Sequence, residues 1–138
     1  MKLFITATNH DGPEGFEKAH VVHGECTINL PDASCTEIIV SEGIDYIARE
    51  NLQSFLEKCV SKLRQKAIIT IVGVDLRGLA RCVHVRDMDS NTFNSIVCNL
   101  KSFNSSSEIV DILRKSGLSL ISQTITNGMY YEIKAARQ

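Results

Sequence analysis

Glu42 and Asp45 stand three apart where an amphipathic pattern begins, so one helical turn would bring both carboxylates to one face. Two roles suit them: polar groups near the ends of central strands, where open α/β sheets bind ligands, or N-terminal helix charges stabilised by the macrodipole. The second role is preferred. Asp75 directly follows an apolar run and suits polar work at a sheet's carboxyl edge as well as it suits capping the next helix. His20 and His23 lie three apart in an extended stretch, which points them to opposite faces and denies them a shared metal unless a turn intervenes. Ser34 has no G-x-S-x-G surrounding, which argues against hydrolase chemistry. Tyr130 and Tyr131 fall on alternate faces of a hairpin strand, where packing accounts for at least one of them.

Composition narrows the classes. Five cysteines, widely spaced and without a C-x-x-C pair, suggest neither a disulfide framework nor a zinc ribbon and are expected as buried free thiols. Arg77, Arg81, His84 and Arg86 form a local basic cluster, but a net charge of -1 and a pI near 6.4 do not imply nucleic-acid binding. With 43% hydrophobic and 22% charged residues the chain matches soluble globular averages, and it has no apolar run long enough for a membrane span. The 138 residues suffice for one domain. The start, Met1 to His10, turns polar too soon for a signal-peptide core, so a cytoplasmic location is expected.

The elements that must position these groups follow from periodicity. Strands are expected at Lys2–Thr8, Ala19–His23, Glu37–Ser41 and Ala67–Val74, the last two apolar enough for burial on both faces. From Ile44 to Leu63 apolar residues recur at three and four, predicting an amphipathic helix with an interruption near Arg49–Asn51. Shorter helices are expected at Leu76–Val83 and Asn91–Val97, the second capped by Asp89 or Ser90. Ser105 to Glu108 has capping-box spacing and opens a helix that stops at Gly117. Runs at Leu118–Thr126 and Met129–Ala135 flank Asn127-Gly128, a favoured hairpin turn. The order predicts an α/β sheet, mostly parallel, with a C-terminal antiparallel hairpin strand.

Several segments together resemble the small class I S-adenosylmethionine-dependent methyltransferases often associated with sugar or polysaccharide modification. Ile28 to Ile38 is similar to the family's L-P-F-P-D-N-S-F-D-E-I, Ser41 to Ile47 to its S-H-V-L-E-H-I, and Leu63 to Ala67 to its L-K-P-G-G turn. Ile68 to Leu76 resembles R-I-V-V-P-D-L, and the last helix and hairpin match the family's tail. The resemblance implies a Rossmann-like methyltransferase sheet, here reduced in size. It also implies a cofactor pocket on Thr6, Ala7, Thr8, Asn9, His20, Leu30, Ser41 and Glu42, framed by the Leu30–Ser34 loop and Ser41–Ile44.

Departures from the family gather on the ligand side. Its G-x-G after the first strand, whose bare backbone admits the cofactor, is replaced by Thr6-Ala7-Thr8-Asn9. The acidic residue that holds the ribose aligns with His20, and Glu17 or Glu25 would have to substitute. Lys66-Ala67 replaces a glycine pair, and Glu42 stands for a histidine. The pattern is that expected when the fold is kept while S-adenosylmethionine binding is weakened or lost. Two outcomes stay open: an active methyltransferase with an altered pocket for a small-molecule ligand, or a silent binding or oligomerisation module. Should Gly24–Thr36 have lost a covering helix, the exposed sheet would favour a homodimer.

Overall fold

The computed structural model describes all residues from Met1 to Gln138. The apolar runs become adjacent strands: β1 is Lys2–Thr6, β4 is Cys35–Ser41 and β5 is Leu63–Val74. Adding β2 (Glu17–Val22), β3 (Glu25–Cys26), β6 (Leu118–Thr126) and β7 (Tyr130–Arg137) gives one seven-stranded sheet of order β3-β2-β1-β4-β5-β7-β6. β2, β1, β4 and β5 are parallel, whereas β7 runs against both β5 and β6. The expected mostly parallel sheet with a reversed hairpin strand is therefore present. Asn127 and Gly128 both take positive φ, 55° and 75°, as the tight hairpin requires.

The helices are α1 (Leu52–Lys62), α2 (Leu76–Val85), α3 (Ser90–Val97) and α4 (Ser106–Lys115). Their caps match their sequences: Asp75, Asp89 and Ser105 each accept a backbone N–H from the first turn. The capping box at α4 is only half made, because the Glu108 carboxylate pairs with Arg49.

The helix expected from Ile44 to Leu63 is corrected. Two 3-10 turns, Ile44–Tyr46 and Arg49–Asn51, precede α1, and Leu63 already belongs to β5. The break lies at Ile47 and Ala48, both extended, where the Ala48 N–H donates to the Gly24 carbonyl at 2.9 Å. A long-range hydrogen bond here overrides the local period. β5 also starts earlier than expected, with Lys66 at φ 63° beside an irregular register between Cys35 and Glu37. Glu25–Cys26, where no element was expected, forms the short strand β3, which pairs antiparallel with β2.

α1 and α4 cover one face of the sheet, where Leu3, Ile5, Ile38, Val40, Ile69, Ile71 and Ile133 join Leu56, Cys59, Ile109 and Leu113 in a single core. Burial on both faces is only partly realised. On the other face Ile39, Thr70 and Val72 are half-buried, Ile68 is 38% exposed and Lys134 is exposed. Phe4 is buried there, covered by the loop after β1 through the His10 ring and the close approach of Gly12. No helix is long and apolar enough to cross a membrane.

Candidate functional site

Parallel strands end together, so the carboxyl ends of β1, β4 and β5 form one edge of the sheet. β1 delivers Thr6 to that edge and β4 delivers Ser41 and Glu42. A continuous hydrogen-bond chain links them. The Thr6 and Thr8 hydroxyls are 3.2 Å apart, the Thr8 hydroxyl donates to Glu42 Oε2 at 2.6 Å, and the Ala7 N–H donates to the Glu42 carbonyl at 2.8 Å. Thr6 Oγ1 also accepts from the Thr8 N–H at 3.3 Å. Positive φ at this edge falls on Glu42, at 54°, and on neither threonine.

Beside this chain lies a cleft of about 500 Å³ lined by Ser41, Glu42, Asp45, Val72, Tyr130 and residues of α3. Asp45 forms its floor. Only 5% exposed, it accepts the Val74 N–H through Oδ2 at 2.8 Å, while Oδ1 has no partner. Burial pushes its carboxyl up to about 7, with the Val74 hydrogen bond partly opposing the rise. Tyr131, fully buried in the next strand against Gly73, has an unpartnered hydroxyl whose ionisation is pushed up by burial and then by the Asp45 charge. The preference for Asp45 as an ordinary helix charge is thus corrected: the helix there is a single 3-10 turn, and the carboxylate turns inward. The available signal was its setting between the apolar residues Ile44 and Ile47, both fully buried.

Asp75 resolves differently. Oδ2 accepts from Gly78 N at 2.9 Å and Oδ1 from Ser106 N at 2.8 Å, so one carboxylate caps α2 and anchors the start of α4. Both of its oxygens are occupied by structure.

The remaining sequence-derived positions divide. Thr6, Ala7, Thr8, Ser41 and Glu42 come together, and Asn9 is exposed just beyond them. His20 pairs with Thr6 on the neighbouring strand and is exposed. Glu17 pairs with Leu3 near the opposite end of β2, whereas Glu25 pairs with Val22 just past the turn. Leu30 is not brought to this edge. It packs against the core, and the loop it opens feeds the amino end of β4, with Ser34 Oγ donating to the Pro31 carbonyl. A loop entering a strand necessarily lies at the edge opposite the strand's exit, so the pocket frame expected from Leu30–Ser34 is replaced by α3.

Solved structures share this fold. A SAM-dependent methyltransferase of Thermotoga maritima superposes with TM-score 0.61 at 15% identity, over 90% of this chain and 65% of its own. The fold is that of the class I methyltransferases. A SAM-dependent methyltransferase of Aquifex aeolicus gives TM-score 0.56 at 16% identity, over 88% of this chain and 55% of its own. The 1,6-didemethyltoxoflavin-N1-methyltransferase of Burkholderia thailandensis, whose structure holds 1,6-didemethyltoxoflavin and S-adenosylhomocysteine, gives 0.62 at 9% identity over 99% and 71%. No protein-family model and no curated protein matches the chain. The methyltransferase fold here spans less than two thirds of the length of the first two relatives. Between β1 and β2, and again between β2 and β4, the chain forms no helix.

Proposed function

We propose that the chain is a cytoplasmic methyltransferase-like protein in which S-adenosylmethionine binding is weakened or lost. The hydrogen-bond chain from Thr6 through Thr8 to Glu42 carries this conclusion. A cofactor lying across the end of β1 needs bare backbone there. Two hydroxyl side chains instead stand at that mouth, and the Thr8 hydroxyl, itself in contact with Thr6, binds the Glu42 carboxylate that would otherwise face a ligand. The position expected to hold the ribose is His20, which offers an imidazole where a carboxylate would accept two hydroxyls. These residues do not fit the group, so no methyl-transfer step is assigned to them. The adjoining cleft of about 500 Å³ has the size and mixed lining of a small-molecule site.

Calorimetry with S-adenosylmethionine and S-adenosylhomocysteine is the direct test. Wild-type protein should show no saturable heat at about 1 mM ligand, and Thr6→Gly with Thr8→Gly should bind at least about tenfold more tightly by freeing Glu42 and the loop backbone. Micromolar binding by the wild type would overturn the proposal and favour an active enzyme with an altered pocket.

A silent oligomerisation module is the second reading, favoured by the sheet face that no helix crosses. Lys18, Glu37, Glu132 and Lys134 frame Ile39, Ile68 and Thr70 on that face, a mixture of both signs that a second copy can complement across a two-fold axis. Sedimentation equilibrium should then give a dimer that Ile68→Lys dissociates. Monomer alone at all concentrations would end this reading.

A further inference from the structure

α2 and its C-cap residue Arg86 carry the basic cluster noted in the sequence, and their packing gathers part of that cluster into a cleft. Arg77, Arg81 and Arg86 line a cavity of about 360 Å³ between α2 and the β6–β7 hairpin, closed by Ile125 and Gly128. The close approach depends on Gly78, where a Cβ would lie 2.2 Å from the Gly128 carbonyl oxygen. The same approach sets the Arg86 guanidinium beside the hairpin tip, 3.4 Å from where a Cβ on Gly128 would stand.

None of the three guanidiniums has a protein counter-charge. The ion pairs of the chain use Lys2, Lys18, Arg49, Lys62 and Lys134, and Arg137 donates to backbone carbonyls. Asp75 is the sole carboxylate lining the cleft, and its two oxygens already accept from Gly78 and Ser106. Three cations against one committed carboxylate leave an excess of two positive charges in a chain whose net charge is -1. Like charges so gathered repel unless an anion neutralises them. Guanidinium forks match phosphoryl oxygens in pairs, and a phosphate group near neutral pH carries close to two negative charges.

We propose that this cleft binds a phosphate or pyrophosphate group borne by a small molecule, independently of whether the cofactor edge is competent. A cavity of this volume accepts such a group with little more than its ester substituent, and a net charge of -1 with a pI near 6.4 supplies no overall excess of basic charge for a nucleic-acid backbone. Arg77 and Arg81, one helical turn apart, grip one side, and Arg86 closes from the hairpin side.

The test is calorimetric titration at low salt with inorganic phosphate and with inorganic pyrophosphate as probes. One-to-one binding of either, with Kd below about 1 mM, is expected. Arg81→Gln and Arg86→Gln should each weaken it by about tenfold or more, and Arg64→Gln, remote from the cleft on β5, should leave it unchanged. All three arginines are exposed, so unchanged melting curves will establish that the variants remain folded. Absence of saturation at about 10 mM of both probes would overturn the proposal, as would equal weakening by Arg64→Gln. A single-stranded oligonucleotide binding more tightly than pyrophosphate through Arg81 and Arg86 would overturn it in favour of nucleic acid.

Discussion

Asp45→Asn will remove a pH-dependent loss of stability of about 4 kcal/mol that the wild-type protein undergoes between roughly pH 4 and pH 7. Burial raises the Asp45 carboxyl from an ordinary 3.8 to about 7. Within that window the folded state retains a proton that the unfolded chain has released. Stability therefore is greatest below the unfolded pKa, declines as pH rises through the window, and levels off above the folded pKa. The cost arises because the ionised carboxylate has one hydrogen bond, from Val74 N, and a second oxygen with none. Asparagine keeps an acceptor for Val74 and does not titrate. The Asp45 backbone carbonyl, which accepts from Lys101 and Ser102, is untouched by the change. Urea midpoints measured across the window should slope for the wild type and be flatter by that amount for the variant. Equal slopes would mean that Asp45 ionises freely and is hydrated in the cleft.

Gly78→Ala should destabilise the fold by about 3 kcal/mol, lowering the melting temperature by about 10 °C. Gly78 does not take positive φ, so its role is spatial. The added methyl would sit 2.2 Å from Gly128 O and 3.1 Å from Met129 Cα, both backbone atoms of a tight hairpin, with Asp75 Oδ2 at 3.2 Å. Neither the helix nor the turn can give way without separating α2 from the sheet edge and disturbing the Asp75 cap. Alanine's intrinsic helix advantage of about 1 kcal/mol opposes this and is too small to cancel it. Thermal unfolding followed by circular dichroism will decide the matter. A variant as stable as the wild type would mean that α2 is loosely held against the hairpin, which would also weaken the case for the arginine cleft.

Local features of the chain were legible wherever the deciding interactions lie within a few residues. Alternation and unbroken apolar runs marked β1, β4, β5, β6 and β7, and Asn127-Gly128 marked the hairpin, because side-chain period and turn conformation are properties of adjacent residues. Asp75, Asp89 and Ser105 were recognisable caps because each bonds an N–H three residues ahead. Motif resemblance then pointed to the methyltransferase fold, and the loss of its glycines at Thr6 and Thr8 was visible in the residues themselves.

Tertiary structure decided everything that joins distant segments. The Thr8 to Glu42 bond spans 34 residues, the Ser106 to Asp75 bond 31, and the Val74 to Asp45 bond 29. No periodicity reports such pairings, because they depend on strand order and register. That dependence is why the 3-10 turns at Ile44 and Arg49 replaced one helix, why Leu30 went to the opposite edge from Thr6, and why Asp45 turned inward. The basic cluster was plain in the sequence as charge. Only the packing of Gly78 on Gly128 made three of those arginines the lining of one cavity, since enclosure requires a second element that the helix itself does not encode.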